Sequence, residues 1–227
     1  MLRKTIFWLI WLGFSTYAFV FAPPNQPDTF ELIKNLSIGQ WQGINPLVVA
    51  LFNIMGVLPM IYSCLVFIDG RVQKIPAWPF ALGSFGVGAF ALLPYIALRE
   101  SNPHFLGQKN TFIKILDSRV TGILLSVGAI ILIVYGIAQG NWSDFVQQWQ
   151  TSRFIHVMSL DFCLLCLLFA TLVGDDMARR GMNNQGLFWW LVTFVPLFGA
   201  LIYLCLRKPL PEVSSQSNQS QQKPVAT

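Results

Sequence analysis

NPLVVALFNIMGVLPMIYSCLVFI, residues 45–68, carries no charged side chain in 24 consecutive positions. A helix needs about 20 mainly apolar residues to cross bilayer hydrocarbon, because each backbone amide and carbonyl must find its partner inside the segment. This stretch meets both conditions. Five more apolar stretches of similar length occupy residues 5–22, 78–98, 120–138, 153–174 and 187–206. The sequence therefore predicts an all-α polytopic membrane protein of about six transmembrane helices. Residues 1–210 form one membrane domain, and a disordered polar tail rich in Ser, Gln and Pro follows over residues 211–227.

Composition points the same way. A chain that is 54% hydrophobic and 11% charged is too apolar for an ordinary soluble fold, and its 19 Phe and 8 Trp suit lipid-facing and interfacial surfaces. The apolar runs are continuous rather than alternating, which excludes a transmembrane β-barrel. The net charge of +5 does not point to nucleic acid, because the basic residues are spread over nearly every loop, where lipid headgroups meet them. Arg3 and Lys4 before an apolar run ending at Ala22 resemble a signal peptide. The run exceeds the usual signal core of about 7–15 residues, and Pro23 disfavours cleavage after Ala22, so it reads as an uncleaved helix.

Six alternating spans divide Lys and Arg almost evenly, eight on the side of Arg3 and seven on the other, so the positive-inside rule barely decides the orientation. The first helix places the amino end inside. An inverted repeat would account for the tie. Asp69 is followed by Tyr95 and Arg99, and Asp176 by Tyr203 and Arg207, at nearly the same spacing. With one helix between the two units, the hairpins would lie inverted, as in many transporters. The alternative is that Tyr and Arg merely anchor hairpin ends at the interface.

Several runs carry a resemblance. Gly56-Val-Leu-Pro-Met-Ile-Tyr62, Asp69-Gly-Arg71 with Lys74-Ile-Pro-Ala-Trp-Pro79, and Gly88-Ala-Phe-Ala-Leu-Leu-Pro-Tyr95 resemble uncharacterised multi-pass membrane proteins of cyanobacteria. The second half, with Asp161, Pro196-Leu-Phe198 and Tyr203-Leu-Cys-Leu-Arg207, is similar to a small bacterial membrane family of unknown function. The resemblance implies a bacterial plasma membrane or thylakoid membrane and brings no activity.

Polar residues inside spans are the candidate site. Asp161 lies near the middle of the fifth stretch, where an unpaired carboxylate costs about 2.5–3.5 kcal/mol on insertion scales. It is read as a proton or cation site with Asn53 as polar partner, against the simpler role of an interhelical hydrogen bond. His156 is the one intramembrane histidine; it shares a face with Arg153 and Ser159, not with Asp161. Haem ligation would require a second histidine, and the only other, His104, lies in a polar loop. Cys163 and Cys166 have redox spacing, but apolar neighbours supply nothing to stabilise a thiolate. Ser84 with Gly88, and Gly122 with Ser126, form small-residue pairs that let helices approach closely. Short surface helices are expected in the connections 23–44 and 99–119.

No cofactor and no metal are expected. The partners are the bilayer, other membrane proteins or a second copy of the chain. The function expected is that of a noncatalytic integral membrane protein that assembles or stabilises larger complexes. The alternative is a small ion-coupled transporter using Asp161.

Overall fold

The computed structural model describes residues 2–105, 108–183 and 185–211. The predicted tail, beyond Pro211 itself, lies outside these residues. Among the described residues every regular element is helical. They are α1 (Leu2–Thr16), extended by a π-helical turn (Tyr17–Phe21), α2 (Thr29–Ser37), α3 (Pro46–Asp69), α4 (Trp78–Val87), α5 (Ala89–Leu98), α6 (Thr111–Asp117), α7 (Arg119–Gln139), α8 (Trp142–Thr151), α9 (Arg153–Leu168), α10 (Ala170–Arg179), α11 (Gln185–Phe194) and α12 (Phe198–Leu206). α2 and α6 fall in the two connections where surface helices are expected. α8 was not foreseen; Asn141 starts it by accepting from the Asp144 amide.

α3 is the central helix. Asn45 caps it through the Leu47 amide, and Pro46 fills the first turn, where a missing N–H is harmless. α7 lies antiparallel to it at close range. A Cβ on Gly136 would come within 2.7 Å of Ala50 Cβ, so only glycine admits this approach. At the other end of α7, Gly122 abuts Leu204 of α12. Its neighbour Ser126 donates to the Gly122 carbonyl and sits 3.6 Å from Cys205 Sγ. α1 runs along α5, with Trp11 Nε1 donating to the Phe90 carbonyl at 2.9 Å.

The span count differs from the sequence reading. Four helical stretches are long and apolar enough to cross a membrane: Leu2–Phe21, Pro46–Val72, Arg119–Gln139 and Arg153–Arg179. The third and sixth apolar stretches are each broken into two short helices that fold back on themselves. α4 and α5 turn at Gly88, and Gly83 of α4 faces Ala91 of α5. α11 and α12 turn at Val195-Pro196-Leu197, and Gly199 packs directly on the Leu191 backbone. The physical reason lies in the turn residues. Gly88 adopts φ 52° and ψ −124°, closed to side chains with a Cβ, and Pro196 has no amide with which to continue a helix.

Because each hairpin returns to the end it started from, the inverted repeat is also corrected. α3 and α9–α10 run in the same direction, for both finish at one ionic cluster. There Asp69 accepts from Tyr95 Oη at 2.6 Å and from Arg99 Nε at 2.8 Å, and Arg179 pairs with its other oxygen. Asp176 repeats the arrangement, accepting from Tyr203 Oη at 2.6 Å and Arg180 Nε at 2.8 Å, with Arg207 Nη1 at 3.5 Å. Arg99 also pairs with Asp175, and Arg180 with Asp117 of α6 at 2.5 Å. Burial works against both guanidinium charges, but the neighbouring carboxylates outweigh it and raise the pKa of Arg99 and of Arg180. The units are thus parallel, and each hairpin is tied at its carboxyl end to the helix before it.

Candidate functional site

Ten residues of helix rise about 15 Å, half the thickness of bilayer hydrocarbon. The α4–α5 hairpin therefore fills only the half of its layer nearest the ionic cluster. Beyond its tip, between α1, α3 and α9, lies a cavity of about 500 Å³. This falls within the range of small-molecule sites, about 300–1,000 Å³. Its walls are mainly apolar, with Phe52, Met55 and Gly56 contributed by α3 and Phe154, Val157 and Met158 by α9.

Asp161 forms the floor. It is 5% exposed, and its Oδ1 accepts from the Ala89 amide at 2.8 Å, capping the start of α5. The positive end of that helix favours a negative group there. Oδ2 has no hydrogen-bond partner among the described residues, and it is not among the fully enclosed polar atoms that lack one. It is therefore reached from the cavity. Gly88 makes this fit possible, because a Cβ there would overlap the carboxylate. Arg153 also lines the cavity, about 12 Å from Asp161 along α9, and its Nε is held by the Pro23 carbonyl at 3.0 Å.

The other sequence candidates have local roles. Asn53 donates to the Val49 carbonyl of its own helix at 2.8 Å and is not brought to Asp161. His156 has both ring nitrogens engaged. Nδ1 donates to the Trp149 carbonyl at 2.9 Å, Nε2 pairs with Tyr17 Oη at 2.9 Å, and the ring stacks on Trp149. It ties the π turn of α1 and the end of α8 to α9, leaving no nitrogen for a metal. Ser84 is buried at the cavity and donates to the Ala81 carbonyl. Gly88 serves as a turn rather than as half of a helix-packing pair.

Cys163 and Cys166 are both free thiols, one exposed and one buried. Leu197 at the second hairpin tip and Cys166 of α9 lie in the same buried apolar cluster, whereas the first tip is pinned to α9 by the Ala89 amide. Sequence reasoning used Asp69 and Asp176 only as markers of a repeat and did not name them as buried carboxylates. The signal was present in the two Asp, Tyr, Arg series of matching spacing.

No protein family, curated protein or solved structure matches the chain. The functional reading rests on the geometry.

Proposed function

We propose that this is an integral membrane protein of four spans and two re-entrant hairpins that holds an amphiphilic small molecule in the cavity floored by Asp161, as a carrier would. The observation that carries the reading is the unpartnered Asp161 oxygen at the closed end of an apolar cavity. An intramembrane ionisable residue is costly and is a functional candidate by default. Broken helices whose ends point into a central site are also a recurring device of transporters.

The membrane reading is supported by charge. With the hairpins turning back, Lys and Arg of the described residues gather at the end holding the ionic cluster, and only Lys34 and Arg153 lie towards the other end. That asymmetry supports a cytoplasmic position for the cluster. Single cysteines introduced at Asn110 and Gln147 of the full-length protein, with the native cysteines replaced, check this in intact cells. Membrane-impermeant thiol reagents are expected to reach position 147 but not 110. The six-span alternation demands the opposite pattern.

The cavity is tested by filling it. A Cβ on Gly56 meets nothing within 4 Å, so Gly56→Phe enters the space without displacing backbone. Native mass spectrometry of protein taken from its own membrane should show a small noncovalent adduct on wild type and none on Gly56→Phe. If wild type carries no adduct and instead co-purifies with a stable protein partner, the assembly-factor reading replaces this one.

A further inference from the structure

We infer that the cavity selects lipophilic cations, molecules with a broad apolar body around a delocalised or shielded positive charge. The inference rests on the reading of the cavity as a binding site and goes on to name its ligand class. Five aromatic rings, Phe19, Phe52, Phe85, Phe90 and Phe154, line the space. Their faces present negative electron density that attracts a cation, most strongly where water is excluded. Below them, Asp161 offers an oxygen with no partner among the described residues. The α5 amino terminus supplies only about half a positive charge, so an ionised Asp161 keeps a net attraction for a cation.

Arg153 is the charge that opposes this choice. It stands about two turns of α9 nearer the open end, and both its backbone amide and its Nε are held by carbonyls of the Pro23-Pro24 segment. It can therefore repel small hydrated cations at the mouth. A ligand whose charge is shielded by apolar groups feels it less, because its binding draws mainly on burial against the rings.

The test uses two ions of the same shape and opposite sign, tetraphenylphosphonium and tetraphenylborate. Binding of each is measured by equilibrium dialysis to the full chain in nanodiscs of zwitterionic lipid, with empty nanodiscs subtracted. Wild type is expected to bind the cation roughly tenfold more tightly than the anion. Asp161→Asn keeps an oxygen for the Ala89 amide, so its thermal midpoint should match wild type while cation affinity falls about tenfold and anion affinity does not. Gly56→Phe should lose both ions. Equal binding, or a preference for the anion, overturns the cation inference and leaves the cavity reading standing. Failure of the cation to bind, or undiminished cation binding by Asp161→Asn, also overturns the inference. If Gly56→Phe binds as wild type does, the cavity itself is not the site.

Discussion

Asp69→Asn is expected to lower the thermal midpoint of the purified protein by 10 °C or more, the largest effect of any single polar substitution in the chain. Asp69 is 1% exposed and faces two guanidinium groups, Arg99 and Arg179, that are themselves buried. Removing Asp69 leaves Arg99 with Asp175 and Arg179 with Asp176 alone, and losing one partner of a buried ion pair costs about 3–5 kcal/mol. For a chain of this size each kcal/mol moves the midpoint by about 2–4 °C. The parallel change Asp176→Asn should act similarly, because Arg207 loses its one carboxylate partner among the described residues and Arg180 keeps only Asp117. Glu100→Gln is the control. Its Lys74 partner lies 4.0 Å away and both side chains are largely exposed, so screening by solvent leaves little to lose. Midpoints for Asp69→Asn and Glu100→Gln that differ by less than about 3 °C would show that the cluster is not what fastens the hairpins.

The second large effect is expected at Gly88. Alanine there meets two obstacles at once. The backbone angles, φ 52° and ψ −124°, are strained for any residue with a Cβ, at about 1–3 kcal/mol. The added carbon would also occupy the position of the Asp161 carboxylate. Gly88→Ala should therefore both lower the midpoint and abolish ligand binding. Gly86→Ala, two residues earlier and with open space around its Cβ, should do neither. A Gly88→Ala variant that melts and binds like Gly86→Ala would refute the proposed tip geometry.

These two positions also show how far the sequence could be read. Helical class and the positions of the apolar stretches follow from length and hydropathy, which depend only on local composition. Whether a stretch crosses or turns back does not. Residues 78–98 have the length of a span, and the glycines at 83, 86 and 88 read equally well as packing surface or as a hairpin tip. The deciding fact was the pairing of Asp69 with Arg99. A straight helix would separate their two ends by the thickness of the membrane, so their pairing requires the chain to return. The near-even division of basic residues under six spans was a second sign, since the two hairpins change the side assigned to three of the five loops. Asp161 could be placed by depth alone, whereas its partner depends on helix rotation. That is why Asn53, at a suitable depth, turned out to bond its own helix instead.

The attachments of the α4–α5 hairpin set an order of events during synthesis. Its tip is held by Asp161, 72 positions later than Ala89, and Arg99 binds Asp175, 76 positions later. When the hairpin leaves the ribosome neither partner exists, and its two short helices cannot span the bilayer unaided. Its base can pair with Asp69 as soon as it emerges, but its tip is fastened only after α9 has been made. The hairpin is therefore tied at its base before it is pinned at its tip. Nascent chains arrested before residue 161 should leave residues 78–98 open to protease, and those extended past residue 179 should protect them.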